Sequence, residues 1–209
     1  MIHVLGISGS LRRASTNTAV ISAASAMTSA EWQVRAFAGL DAIPPFNPDT
    51  PDAETPAAVV ALRGAIADCD ALLISSPEYA HGVPGVLKNA LDWLVGSGEC
   101  IDKPIAVINA SSRATHARAS LVETLVTMSA HVVERASITL PLDGRGADAR
   151  AILADADLAR ALRNAVDALA ATARPMNQLF ASARTTSPET ALASALRSEG
   201  VSAPTTNTE

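Results

Sequence analysis

The chain has 209 residues, 48% of them apolar, and a formal net charge of −5, enough for one domain with a full hydrophobic core. With no basic run longer than Arg12-Arg13, the phosphate-driven electrostatics of nucleic-acid binding are excluded. No apolar run is long enough to span a bilayer, and the N-terminus lacks a charged region, apolar stretch and cleavage site in series, so a cytoplasmic protein with no membrane partner is expected. Cys69 and Cys100 lie far apart with no metal-ligand spacing and read as reduced thiols. Aromatics are only 3%, so the core must be built from Ala, Val, Leu and Ile.

Ile2 to Ser8 reads as a buried strand, and Thr16 to about Ser29 as a helix with Ser15 as its N-cap. Trp32 to Phe37 alternates apolar and polar residues, as a strand with one wetter face does. Leu40 to Asp52 holds Pro44, Pro45, Pro48 and Pro51 and predicts an extended surface loop without regular structure. Pro56 to Asp68 reads as a helix, Ala71 to Ser75 as a fully apolar strand, and Pro84 opens a helix whose apolar face is Leu87, Ala90, Leu91, Leu94 and Val95. Ile105 to Ile108 is a strand, a helix follows to about Ala130, and Val132 to Ile138 reads as the last strand. Leu158, Leu162, Ala165, Val166 and Leu169 mark a final amphipathic helix. After Arg174-Pro175 the pattern fades into Ser, Thr, Pro and Ala, with a short helix over Glu189 to Arg197 and a disordered end from Val201. Strands alternating with helices predict an α/β fold, a doubly wound parallel sheet with helices on both faces. A domain over 1–173 followed by a partly disordered extension over 174–209 is the expected organisation.

Ligands of such a sheet sit beyond the C-terminal ends of its strands, where the winding direction switches. Three loops leave those ends: Gly9 to Thr18, Pro77 to Gly82, and Asn109 to Thr115. In the first, Ser10, Ser15, Asn17 and Thr18 can donate to an anion and Arg12 can form a fork to phosphate oxygens, at a helix start where free N–H groups already favour negative charge. The plainer reading is a helix cap with solvated arginines. The first strand is not followed by GxGxxG, and GxxxxGK[ST] is missing, so neither a dinucleotide turn nor a Walker loop is supported. In the second loop Glu78, Tyr79 and His81 could each be an ordinary surface residue. A Pro-Glu-Tyr turn before a Gly-x-Pro-Gly helix start is nevertheless a demanding backbone to keep for no purpose.

Taken together, these loops resemble the NADPH-dependent FMN reductase family, over roughly the first 170 residues. Gly9-Ser10-Leu11-Arg12 with Ser15 and Asn17 is similar to that family's flavin-phosphate loop. Pro77-Glu78-Tyr79 and Pro84-Gly85-Val86-Leu87-Lys88-Asn89-Ala90-Leu91-Asp92-Trp93 are similar to its second signature, and Asn47-Pro48-Asp49 in the proline-rich loop is a further, separate similarity to the family. The resemblance implies a flavodoxin-like sheet of five strands in the order 2-1-3-4-5, and homodimers or homotetramers. It implies FMN with its phosphate at Ser10, Arg12, Ser15, Asn17 and Thr18 and its ring edge along Pro77, Glu78, Tyr79, Ala80, His81 and Gly82, with Ser111 and Ser112 of the third loop. NADPH would reduce the flavin, which would pass electrons to a small flavin, quinone or azo acceptor. Hydride transfer between rings needs proximity rather than a general acid or nucleophile, so no catalytic side chain is expected. Relatives often carry Asn where this chain has Ala80, which suggests a lost side-chain contact. Their third loop is usually glycine-rich, whereas here it reads Ala110-Ser111-Ser112-Arg113-Ala114-Thr115-His116, with Arg113 either a surface charge or a group projecting into the substrate space. Two other classes share the fold: an electron carrier without a nicotinamide site, and a flavin-free binding module.

Overall fold

Alternation along the strands decides how the sheet is covered. The structure, a computed structural model, describes residues 1–143 and 146–185. Its strands are β1 (Ile2–Ser8), β2 (Trp32–Ala36), β3 (Ala71–Ser75), β4 (Pro104–Ile108) and β5 (His131–Val132). Its helices are α1 (Thr16–Ala26), α2 (Ala57–Ala67), α3 (Gly85–Asp92), α4 (His116–Thr127), α5 (Ala149–Ala154) and α6 (Ala156–Thr185). The strands form one sheet in the order β2-β1-β3-β4-β5, all pairs parallel, which is the predicted doubly wound topology. Val4, Leu73 and Ile108 face one core with α1, α5 and α6, while Leu5, Ile74 and Ile105 face the other with α2, α3 and α4. Strands buried on both faces need an apolar residue at nearly every position, which is what β3 and β4 supply.

Edge strand β2 has one wet face, as its alternation predicts: Trp32 and Val34 are buried, Gln33 and Arg35 exposed. The Trp32 indole N–H donates to Asp167 Oδ1 of α6 at 2.6 Å, tying the edge of the sheet to the last helix. Met1–Arg174 forms one compact unit, and Pro175–Glu209 groups as a second. The fading of structure expected at Arg174-Pro175 is not seen, since helix continues to Thr185, although Pro175 has no N–H to give the ladder. The short helix expected over 189–197 and the disorder expected from Val201 lie outside the described residues. Among the described residues no helix is long and apolar enough to cross a membrane.

Other expectations need correction. The last strand does not run from Val132 to Ile138: β5 ends at Val132, a 3-10 turn occupies Glu134–Ala136, and pairing resumes only at an Asn109–Thr139 bridge. The buried Ser137 hydroxyl accounts for this, accepting from Val107 N–H at 3.0 Å and donating to the Val133 carbonyl at 3.0 Å where a strand partner would stand. The proline-rich loop lies mostly exposed on the surface, as expected, but it is not irregular throughout. It contains 3-10 turns at Leu40–Ala42 and Asp52–Glu54, and Leu40 and Ile43 are buried. Asn89 and Trp93 fasten it: Asn89 Nδ2 and the Trp93 indole N–H each donate to the Pro44 carbonyl at 2.9 Å, Asn89 Oδ1 accepts from Phe46 N–H at 2.7 Å, and Phe46 lies edge-on to Trp93. Helix α3 ends at Asp92, so Val95, assigned to its apolar face, is instead 57% exposed. Helix α5 carries too little periodicity to be read from the sequence.

Candidate functional site

The register brings the three loops to one rim. Ser8 pairs with Ser75, and Ser75 with Ile108, so the chain leaves β1, β3 and β4 side by side at the point where the winding reverses. Gly9 N–H continues the ladder to the Ser75 carbonyl at 2.8 Å. A Cβ on Gly9 would stand 2.5 Å from Ser76 Oγ, so glycine is required where the first and second loops touch.

In the first loop, Ser8 Oγ lies 2.8 Å from Thr18 Oγ1, Arg12 N–H donates to Ser10 Oγ, and Ser15 caps α1 by accepting from Thr18 N–H at 3.3 Å. Beneath it the Ser75 hydroxyl donates to Asn17 Oδ1 at 2.9 Å, both residues buried. The N–H groups of Thr16 and Asn17, at the start of α1, find no acceptor among the described residues. Ser10, Ser15 and Asn17 are buried and shape the loop, whereas Arg12 and Thr18 are exposed.

The second loop is a two-residue reversal. Tyr79 and Gly82 exchange backbone hydrogen bonds at 3.1 and 2.9 Å, and between them Ala80 (φ 49°) and His81 (φ 61°) are left-handed. Glu78 is a clamp: Oε2 accepts from Ala117 N–H of α4 at 2.8 Å, and Oε1 lies 3.0 Å from His81 Nδ1. The Ala117 amide, then the His81 imidazole, hold its carboxyl below the usual value. His81 also packs edge-on against His116, ring centres 4.5 Å apart. Neither His116 nor this pairing was anticipated, since the two histidines lie on different elements.

The third loop is ordered by a residue that sequence reasoning missed. Asp143 accepts from the Ser111 hydroxyl, and from Ser112 N–H at 2.9 Å and the Ser112 hydroxyl at 2.8 Å, with Arg113 Nε at 3.5 Å. The Ser111 hydroxyl first, then Ser112 and the Arg113 charge, hold the Asp143 carboxyl well below the usual range. Asn109 braces the same loop, donating to the Ala114 carbonyl at 2.9 Å.

A cleft of about 360 Å³ opens between these loops. Of the residues picked from the sequence, Asn17, Pro77, Glu78 and Ser111 line it, joined by Asn109, Arg113 and Asp143. Arg12, Ser15 and Thr18 line a neighbouring cleft of about 570 Å³ that shares Thr16 and Leu142 with the first. Ser10, Tyr79, Ala80, His81, Gly82 and Ser112 line neither of the two.

The family model for NADPH-dependent FMN reductase matches residues 2–143, a span that takes in every one of these loops. The chain belongs to that family. It is 37% identical over 166 residues to an NAD(P)H-dependent FMN reductase of Pseudomonas aeruginosa, covering 77% of this chain and 89% of that one. A quinone reductase of Escherichia coli is 37% identical over 106 residues, covering 50% of this chain and 55% of the relative. The structure of the flavoenzyme NAD(P)H:(acceptor) oxidoreductase FerB from Paracoccus denitrificans superimposes with a TM-score of 0.65 at 25% identity, covering 84% of this chain and 98% of that one. This reductase is thus an oxidoreductase of the FMN- and NAD(P)H-dependent type, on a flavodoxin-like fold. Its donor set suits the cofactor: unspent amides at the start of α1 with Arg12 beside them match a phosphate, and the adjoining cleft is walled by the loops after β3 and β4.

Proposed function

We propose that this reductase passes electrons from NAD(P)H to a small quinone, flavin or azo compound. Ser10, Arg12, Ser15, Asn17 and Thr18 would hold the FMN phosphate, and Pro77, Glu78 and Ser111, which line the cleft, would face the flavin. The turn Tyr79-Ala80-His81-Gly82 and Ser112 flank it. The observation that carries this reading is the convergence of the loops after β1, β3 and β4 on one cleft beside a helix start with unspent amides. Bound FMN supplies the redox chemistry, and no side chain is given a covalent or acid–base role. The chain's own contribution is rigidity: Asn17, Glu78 and Asp143 each tie one loop to a neighbouring element, so the walls stand in place before a ligand arrives.

The broad acceptor range follows from the openness of the cleft and the names of the relatives, among them quinone reductases. Assembly as a homodimer or homotetramer belongs to the same proposal, supported by the exposed apolar Phe46 and Val95 beside Trp93 in one surface groove, and a cytoplasmic location is proposed with it. Light scattering on the purified protein tests the assembly, and a monomer at all concentrations rules it out.

The flavin reading is tested by the visible spectrum after FMN addition and by anaerobic titration with NADPH and NADH. Uptake of FMN followed by bleaching is expected. A protein that takes up no FMN, or whose flavin stays oxidised with both nucleotides, sinks the proposal. Arg12→Ala should weaken FMN binding by about 1.5–3 kcal/mol, the scale of a hydrogen bond to a charged group. Unchanged affinity would place the phosphate elsewhere.

A further inference from the structure

Three charged residues line the cleft between the rim loops, Glu78, Arg113 and Asp143, and they are not in the same condition. Both oxygens of Glu78 are engaged, one by Ala117 N–H and one by His81. Both oxygens of Asp143 are engaged as well, by Ser111, Ser112 and Arg113 Nε. Arg113 differs. Its backbone is fixed, with its N–H donating to Ser111 Oγ at 3.2 Å and its carbonyl accepting from Thr115 N–H at 3.2 Å, and its Nε is held by Asp143. Its two terminal nitrogens meet no acceptor among the described residues, and the side chain is 83% exposed. Each carboxylate oxygen already meets a donor of the protein, whereas the guanidinium keeps the outer half of its planar fork. A planar pair of N–H donors is suited to two oxygens of a carboxylate, phosphate or ionised hydroxyquinone.

We propose that Arg113, positioned by Asp143, is a specificity-determining residue that binds an anionic oxygen group on the molecule seated in the cleft. The inference deepens the oxidoreductase reading and rests on it only for the identity of that molecule. Two sources share the chemistry: an acceptor bearing an acidic group, and the phosphates of the nicotinamide nucleotide. Asp143 sets where the fork stands, because it fixes both the Ser111-Ser112 backbone and Nε.

The test uses a redox-inert pair of nearly equal shape, benzoate and benzamide, titrated calorimetrically into the protein with and without FMN. Wild type should bind benzoate more tightly than benzamide. Arg113→Gln should lower benzoate affinity about tenfold, the low end for a hydrogen bond to a charged group, without moving benzamide. Arg113→Lys should recover part of the preference, and Asp143→Asn should reduce it while Arg113 is still present. Two kinetic arms then name the source. A fall in kcat/KM confined to a carboxylated benzoquinone, against unsubstituted benzoquinone, assigns the acceptor. A fall in the rate of anaerobic flavin reduction by NADPH or NADH assigns the nucleotide. Equal binding of benzoate and benzamide by wild type, or a preference untouched in Arg113→Gln, overturns the proposal. Failure of the flavin reading shows separately, as no FMN uptake, and leaves the benzoate comparison without FMN standing as a test of Arg113.

Discussion

Ala80 shows how a single residue carries two meanings. From the sequence, Ala in place of Asn suggests a lost contact to the flavin or nicotinamide. In the structure Ala80 sits at φ 49° in an exposed turn, a conformation that Asn and Gly enter far more readily than Ala. The substitution therefore strains the backbone whatever else it removes. Left-handed geometry costs a residue with a Cβ about 1–2 kcal/mol, and glycine returns about 0.5–1 kcal/mol of that as extra freedom in the unfolded chain. Ala80→Gly should thus stabilise the protein by about 0.5–1 kcal/mol, read as a higher urea midpoint at unchanged slope. An unchanged or lower midpoint would mean the turn is not strained. Glu78 makes a similar point: as a letter it passes for a solvated carboxylate, but it is a brace between the second loop and α4.

At the scale of elements, the site depends on how closely β1 and β3 deliver their loops. Gly9 is the point of closest approach, where an added Cβ would meet Ser76 Oγ at 2.5 Å and Leu87 Cδ2 at 3.0 Å. Gly9→Ala should force the loops apart, lowering stability by about 1–3 kcal/mol as overpacking does, with a parallel loss of FMN affinity. Thermal melts and a flavin titration check both, and a variant matching wild type in each would show that the contact relaxes freely. The family signature around α3 has a second use at this scale. Asn89 and Trp93 work as clamps on the proline-rich loop, so part of what looks like a ligand motif is packing.

For the whole molecule, the braces that shape the cleft also contribute to its acid tolerance. Glu78 and Asp143 are held below their ordinary values of 4.5 and 3.8, so the unfolded chain binds more protons than the native one in that region. Their contribution to stability is fully present above those values and is lost as pH falls through the lower, folded-state values. Urea midpoints should therefore drop steeply below about pH 4, and Asp143→Asn should flatten that drop while lowering the midpoint at neutral pH. An equal slope in variant and wild type would show that Asp143 does not carry the effect. The thiols take no part at neutral pH. Burial pushes Cys100 up to about 11 and Cys69 upward, leaving both as protonated core residues.

The alternation of strands and helices up to β4, the doubly wound class of the sheet and the three rim loops could be read from the chain, because each rests on short-range periodicity and on turn residues with fixed backbone demands, whereas the strand order β2-β1-β3-β4-β5 was expected only from the family resemblance. The capping of α1 by Ser15 was readable for the same reason. What only the tertiary structure decided is which partner each polar group finds. Asp143 lies thirty-odd residues beyond the loop it organises, His81 and His116 come from different elements, and Ser137 ends β5 by taking a neighbour's amide. No local period marks such pairs, since they form only when the sheet brings distant segments together. By its composition alone the stretch Gly9 to Thr18 reads equally as a helix cap or as an anion site. The cleft beside it becomes selective only through Arg113 and Asp143, whose meeting the sequence does not encode locally.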